Sequence, residues 1–297
     1  MAQTLLSIVI PCYNEANTLK DLLQELDLYC RDYQWKVVLV NDGSTDQTKK
    51  VLKELQDYAW LKIIHHKLNR GYGAAIKSGI AMTDSEYIIT MDADGQHHPD
   101  DVVNLLHFIR EKDADMVIGS RKGTPSSNPF RHVGKSIIRI LAKIMMTVPV
   151  HDLNSGMKIY LCDLAKQYLH LAPDTMSFSD VIALIFINHR HLVLETPITI
   201  RQRVKGKSKI GMQTAFQTIM EVINIVILFS PIKIFLPLSI LCFLVGFIWG
   251  LPLMIQGRGI SIGAMLGISS GLILFMLGLI AEQLSWLRRN SGKNPES

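Results

Sequence analysis

Two runs near the C-terminus limit what this chain can be: Ile234 to Gly257 and Gly259 to Ala281 contain no charged residue, and only Arg258 separates them. Each exceeds the roughly 20 residues that a helix needs to cross the hydrocarbon core of a bilayer. A Gln256-Gly257-Arg258-Gly259 turn between them predicts a hairpin, with spans at about 232–256 and 260–284 and both outer ends on one side. Lys205, Lys207, Lys209 and Lys233 precede the first span, while Arg288, Arg289 and Lys293 follow the second. The positive-inside bias therefore puts the rest of the chain in the cytoplasm, on a multi-pass protein of the inner membrane. Met1 to Leu6 has neither a basic segment nor a cleavage site, so no signal peptide is expected.

Upstream of the spans, charged and apolar residues mix as in a globular domain, so the high overall apolar share of 48% is a property of the C-terminus. The expected organisation is a catalytic domain over 1–209, an interfacial segment over 210–230, two membrane helices within 231–288 and a short cytoplasmic tail over 289–297. Cys12, Cys30, Cys162 and Cys242 are scattered, with no Cys-x-x-Cys spacing, which argues against both a disulfide framework and zinc. The net charge of +5 gathers beside the spans, where it suits an anionic lipid surface better than nucleic acid.

Within 1–209, short apolar runs alternate with helical periodicity. Ser7 to Ile10, Trp35 to Val40, Lys62 to His65 and Glu86 to Thr90 read as strands, and Leu19, Leu22, Leu23 and Leu26 trace the face of the first helix, with Asn17 or Thr18 as its cap. This alternation predicts a mostly parallel sheet covered on both faces. In such sheets ligands sit beyond the strand ends. Met91-Asp92-Ala93-Asp94-Gly95-Gln96 lies there, and two carboxylates one residue apart with an amide oxygen nearby can converge on Mg²⁺ or Mn²⁺ with phosphate oxygens as further ligands. An acidic turn after a strand is the plainer alternative. The Asn69-Arg70-Gly71-Tyr72-Gly73-Ala74 segment lets backbone approach closely, and a helix starting near Ala74 would offer N–H groups to an anion. It is not a dinucleotide fingerprint, because Ile76 stands where a third glycine belongs.

Seven segments in order carry a resemblance: Pro11-x-Tyr13-Asn14-Glu15, Val40-Asn41-Asp42-Gly43-Ser44-x-Asp46, Asn69-x-Gly71-x-Gly73-x-Ala75, Asp92-x-Asp94-x-Gln96-x-x-Pro99, Gly119-Ser120-Arg121, Asp152-x-x-Ser155-Gly156 and Arg203-x-x-Gly206-x-Ser208-Lys209. Together they resemble family 2 glycosyltransferases, which have the α/β, Rossmann-like GT-A fold. More narrowly, they are similar to the polyprenyl-phosphate branch, which includes dolichol-phosphate mannose synthases and bacterial undecaprenyl-phosphate glucosyltransferases. The resemblance spans Ile8 to Lys209, and the membrane hairpin resembles that of the bacterial members.

The resemblance implies roles at matching positions. Pro11, Tyr13, Glu15, Asp42, Asn69, Gly71, Asp92, Ala93 and Lys209 would bind the nucleotide-sugar, with Asp42 on the base. Asp92, Asp94 and Gln96 would hold Mg²⁺ or Mn²⁺, and Asp94, Asp152 and Arg203 would act at the reaction centre. Asn41 departs from the Asp of many relatives, which leaves uracil and guanine both open. Asp152 has an equal reading as a cap before Asn154-Ser155-Gly156. His97, His98 and His151 are better read as supporting or surface residues than as metal ligands.

On the acceptor side, the resemblance assigns Arg121, and less directly Arg131 with Ser136, to a lipid phosphate; Arg offers paired donors to phosphate oxygens. Lys135 and Arg139 form a competing register beside the apolar segment Ile137 to Met146, and a basic amphipathic helix resting on headgroups is the plainer reading of both. Asp180 sits where many GT-A enzymes carry a catalytic base, but a phosphate acceptor is already anionic and needs none. Met212, Phe216, Ile219, Met220, Ile223 and Ile227 recur at helical spacing, as an interfacial helix would.

The expected activity is an inverting, metal-dependent transfer of one hexose from a nucleotide-sugar, UDP favoured over GDP, onto polyprenyl phosphate in the bilayer. Two other readings stay open: a processive polysaccharide synthase, disfavoured by the absence of Gln-x-x-Arg-Trp and by too few spans, and a non-catalytic membrane scaffold. Gly263, Gly267 and Gly271 form a small-residue stripe able to pack helix on helix, a hint of a homo-oligomer.

Overall fold

A computed structural model describes residues 4–121, 149–201, 227–257, 259 and 261–290. The chain divides into two compact units, an α/β unit and a C-terminal helical one.

The α/β unit is built on seven strands: β1 (Thr4–Cys12), β2 (Lys36–Asn41), β3 (Leu61–His65), β4 (Ser85–Thr90), β5 (Met116–Ser120), β6 (Lys158–Leu161) and β7 (Val193–Pro197). They form one sheet in the order β3-β2-β1-β4-β6-β5-β7. All neighbours pair in parallel except β6, which runs antiparallel to both β4 and β5. Parallel strands must be covered on both faces, and this sheet is. On one face Leu6, Ile8 and Ile10 of β1 join a core with Leu19, Leu22, Leu23 and Leu26 of α1 (Leu19–Asp32) and Val102, Leu105 and Ile109 of α4 (Pro99–Glu111). On the other face α3 (Tyr72–Ala81) lies so close that a Cβ on Gly79 would collide with Val9 and crowd Val40. Among the described residues the unit has three further helices: α2 (Thr48–Glu54), α5 (Cys162–Tyr168) and the almost wholly buried α6 (Phe178–Asn188).

The chain order reverses between β1 and β4. The first three strands step outward from β1 to β3, and β4 returns to β1's other side, which makes the β1–β4 boundary the switch point where α/β sheets open a crevice. β1 runs two residues past its expected end, through Pro11 to Cys12. Its pairing with β4 stops at Val9 opposite Thr90, so the missing N–H of Pro11 costs no bond there, while pairing with β2 continues to Cys12 opposite Asn41. Thr18 does precede α1, but its hydroxyl donates to the Ala93 carbonyl (2.8 Å) rather than capping the helix.

The second unit contains α7 (Ile232–Ile255) and α8 (Ile262–Asn290), both long and apolar enough to cross a membrane. Leu241, Phe247, Ile248 and Trp249 of α7 and Ile273, Ile280 and Leu284 of α8 are exposed, an outer surface suited to lipid and not to water. Between the helices the seam is made of small residues. The backbone of Gly246 packs on that of Gly267, the Ser239 hydroxyl donates to the Gly271 carbonyl (2.8 Å), and the glycine stripe is thus used inside the hairpin. At its base the Ile232 N–H donates to the Glu282 carboxylate (3.2 Å), which satisfies one of the free donors that begin α7. Of the expected interfacial helix, only 227–230 fall within the described residues.

Candidate active site

Three loops leave the C-terminal ends of β1, β2 and β4 and are tied to one another. Asn14, held at φ 58°, accepts the Thr45 N–H on its side-chain oxygen (2.8 Å) and donates its own N–H to the Ser44 hydroxyl (3.0 Å). Glu15 donates its N–H to Thr48 (3.1 Å), and Thr18 links the same turn to Ala93. Tyr13 stands 44% exposed on this shelf, an open aromatic face. Pro11 and Ala93 are buried beneath it.

Asn41 ends β2 and Asp42 follows it, and both are buried. The Asn41 amide accepts the Ser44 N–H (3.0 Å) and lies against the His65 ring (3.1 Å), so it shapes the loop from within. Asp42 accepts the backbone N–H groups of Arg70 (2.9 Å) and Gly71 (2.8 Å). The anion at the start of α3 is thus the chain's own carboxylate, where the glycine-bearing segment alone suggested a ligand. The Ala74 N–H, expected to be free, goes to the Asp174 carbonyl (3.2 Å). Gly71, at φ 101°, has no room for a side chain beside that same carbonyl.

Asp92 is the junction. Its Oδ1 accepts the Tyr72 hydroxyl (2.9 Å), and the His97 ring lies 3.6 Å from its Oδ2, at ion-pair range. A third of the side chain remains accessible. Burial pushes the carboxyl up, but His97, Tyr72 and Arg121 more than offset it and hold it below the usual aspartate value. Burial and the neighbouring Asp92 push the Tyr72 hydroxyl well above its ordinary value, so it stays a neutral donor. Asp94 accepts the Gln96 N–H (3.1 Å), and Gln96 donates its side-chain N–H to the Arg201 carbonyl (3.4 Å). The backbones of Gln96–His97 and Ile200–Arg201 pair, so the segment leading to Arg203 starts beside the acidic loop. Among the described residues no three His, Cys, Asp or Glu side chains surround one metal position. Two carboxylates and an amide oxygen are nevertheless a hard, anionic donor set of the kind Mg²⁺ and Mn²⁺ accept when phosphate supplies the rest.

These loops belong to a recognised sequence pattern, since the profile of glycosyl transferase family 2 matches residues 7–169, more than half of the chain. The chain belongs to glycosyl transferase family 2. Residues 230–287 match a second profile, the GtrB C-terminal hairpin. Among curated proteins, the chain is 26% identical over 224 residues to a dodecaprenyl-phosphate galacturonate synthase of Rhizobium johnstonii, covering 74% of this chain and 66% of that protein, just under two thirds. It is 25% identical over 294 residues to an undecaprenyl-phosphate 4-deoxy-4-formamido-L-arabinose transferase of Pseudomonas paraeruginosa, covering 94% of this chain and 85% of that one. Among solved structures, glucosyl-3-phosphoglycerate synthase of Mycobacterium tuberculosis, in complex with Mn²⁺, UDP and phosphoglyceric acid, superposes with a TM-score of 0.58 at 15% identity, over 75% of this chain and 78% of that chain. That likeness is one of fold, the GT-A architecture.

A second charged group follows β5. Arg121 forms a two-pronged pair with Asp152, Nε to Oδ2 and Nη2 to Oδ1 at 2.8 Å each, and its backbone N–H donates to the same carboxylate (3.1 Å). That bond, more than any other influence, raises the guanidinium further above its already high value. Asp180 is buried and accepts the Asn154 side-chain N–H (3.0 Å). Gly156 closes the gap between the two halves: Thr90 donates its hydroxyl to the Gly156 carbonyl (2.8 Å), and a Cβ on Gly156 would run into the Asp92 carboxylate. Arg131, Lys135, Ser136, Arg203 and Lys209 lie outside the described residues.

Four residues of this constellation gave no sequence signal strong enough to single them out. Tyr72 stands between two motif glycines at a position the motif leaves open. Gly156 stood out only as part of a motif. His66 lies in an ordinary polar run, and Lys158 interrupts an apolar strand. Lys158 is fully buried, donates to the Ser155 carbonyl and faces Asp180, Asp152 and Asp92 electrostatically; burial pushes it down to about 8.

Proposed function

We propose that this chain transfers a single hexose from a nucleotide-sugar, UDP-linked in preference to GDP-linked, to polyprenyl phosphate, with inversion at the anomeric carbon. The observation that carries the reading is the convergence on Asp92: Tyr72 of the glycine loop and His97 hold it, Gly156 of the loop before β6 abuts it, and Arg121 acts on it electrostatically. Donor and acceptor would meet there. Both curated relatives carry a polyprenyl phosphate and a sugar in their names, and the tuberculosis enzyme was captured with Mn²⁺ and UDP, which supports the substrate classes.

Tyr13 offers a face for base stacking and Asp42 an acceptor for a base N–H, with Pro11, Glu15, Asn69, Gly71, Ala93 and Lys209 completing the donor cleft. A divalent cation held by Asp92, Asp94 and Gln96 would neutralise charge on the departing diphosphate. Arg203 would add to that neutralisation from the segment that begins at Arg201. The acceptor phosphate is received by Arg121, with Arg131, Lys135 and Ser136 from the adjoining stretch, and being anionic it attacks without a base. Asp152 keeps the Arg121 fork oriented. The catalytic domain of 1–209 would sit on the cytoplasmic face, joined through an interfacial segment at 210–230 to the hairpin of 231–288, so that a water-soluble donor meets a lipid acceptor at the interface.

Paired variants test this division. Asp94→Asn is expected to lower turnover by at least 100-fold in folded, membrane-bound protein, on the scale of lost charge stabilisation. Arg121→Ala is expected to raise the KM for polyprenyl phosphate far more than the KM for the nucleotide-sugar. Near-normal activity of the first removes the metal site, and an unchanged lipid dependence of the second removes Arg121 from the acceptor site.

A further inference from the structure

Behind Asp42, the expected base contact of the family 2 donor cleft, stand two side chains, His66 and Ser78, that the expected ligand contacts do not use. His66, the residue after β3, turns inward from a run in which Lys67, Leu68, Asn69 and Arg70 are all exposed. Its Nδ1 lies 2.6 Å from Asp42 Oδ1, and its Nε2 lies 2.9 Å from the Ser78 hydroxyl on α3. Only 6% of the His66 side chain and 4% of the Asp42 side chain are accessible, at the edge strand of the sheet.

The proton order follows from the partners. A carboxylate only accepts, so Nδ1 carries the hydrogen and donates it to Asp42; in the neutral ring Nε2 then accepts from Ser78 O–H. Counting donors on Asp42 gives an asymmetry. Oδ1 accepts both His66 and the Arg70 N–H, whereas among the described residues Oδ2 accepts only the Gly71 N–H. A carboxylate oxygen has about two acceptor positions, so Oδ1 is filled and Oδ2 keeps one. Without His66 the two oxygens would be equivalent, and the carboxylate could turn about its terminal torsion, which is soft.

We propose that His66, with Ser78 fixing its tautomer, is a positioning residue for donor recognition: it locks the Asp42 carboxylate so that a single acceptor, on Oδ2, is presented to the nucleobase. The inference rests on the reading that Asp42 faces the base. The two backbone donors hold the loop and His66 holds the orientation. The network also couples base recognition to the start of α3, since the same carboxylate takes the N–H groups of Arg70 and Gly71, next to the Tyr72 that holds Asp92.

The test is calorimetric binding of UDP and of GDP, each with Mg²⁺, to the full-length protein in detergent, together with steady-state kinetics. For the tighter nucleotide, His66→Leu is expected to raise Kd and donor KM about tenfold, the scale of one hydrogen bond to a charged group, with kcat and acceptor KM held. His66→Asn, whose side-chain N–H can stand in for Nδ1–H, is expected to return binding to within about threefold of wild type, and Ser78→Ala to weaken it less than His66→Leu does. Wild-type affinity in His66→Leu, or an equal loss in kcat and both KM values without rescue by Asn, overturns the proposal. If His66→Leu does not fold, wild-type affinity in Ser78→Ala overturns it instead. Asp42→Asn separates the two layers: if it leaves nucleotide affinity unchanged, the base contact itself has failed and the inference falls with it, whereas a loss there without one in His66→Leu refutes only the role of His66.

Discussion

Around Asp92 the spacing of atoms leaves little tolerance. Gly156 has no positive φ to require a glycine, so the pressure on it is steric: its missing Cβ is the space that the Asp92 carboxylate occupies. Gly156→Ala is therefore expected to leave the sheet intact but push the carboxylate aside, lowering metal-dependent activity by about 10–100-fold, the range found when a support of a metal ligand is removed. Metal titration of activity checks it, and an unchanged half-saturating concentration contradicts it. Lys158 makes a different prediction. Because its folded value is depressed to about 8, the unfolded chain binds a proton between there and the ordinary lysine value that the folded chain does not. The unfolded state then holds more protons, so the stability contributed at this site rises with pH above about 8, and the burial penalty is fully present below it. Unfolding of wild type and Lys158→Met at pH 7 and pH 9.5 should show their difference moving toward the wild type at the higher pH; a constant difference contradicts the assignment. Gly156 was visible in the sequence only as a motif member without a role, and Lys158 was not singled out. A lysine in Met157-Lys158-Ile159-Tyr160 reads as a strand interruption until the antiparallel β6 is seen to bring it opposite Thr90.

At the scale of elements, strand ends were the most readable part, because a short β-branched run followed by Asn, Asp or Gly has few other uses. Asp42 and Asp92 lie in the loops that follow β2 and β4 as their spacing implied, and the apolar runs expected at 232–256 and 260–284 form the helices Ile232–Ile255 and Ile262–Asn290. What the elements do to one another was hidden. The glycine segment offered an anion site on local grounds, yet Asp42, 28 residues upstream of Arg70, fills it. Likewise the glycine stripe of α8 was visible as a packing surface, but only the fold assigns it to α7. A Cβ on Gly267 would sit 2.8 Å from the Gly246 Cα, whereas one on Gly263 would meet only the Trp249 ring at 3.6 Å. Gly267→Leu is accordingly expected to cost about 1–3 kcal/mol of hairpin stability and Gly263→Leu much less, measured by unfolding in detergent. Equal effects contradict the assigned seam.

For the whole molecule, the sequence divides the labour plainly: an α/β unit whose loops gather charge at one end of a sheet, and a hairpin whose outer surface is apolar. Family membership and fold follow from these parts, while the choice of sugar does not, because hydroxyl discrimination depends on a few loop contacts. The central claim is that the charged end of the sheet joins a nucleotide-sugar to a lipid phosphate. It is tested by incubating the purified full-length protein with undecaprenyl phosphate, Mg²⁺ or Mn²⁺ and a panel of radiolabelled UDP- and GDP-sugars, and counting label in the organic phase with and without EDTA. The account predicts label from one UDP-sugar, abolished by EDTA and by Asp94→Asn. Label that persists in EDTA, or none from any donor with folded protein, would contradict it.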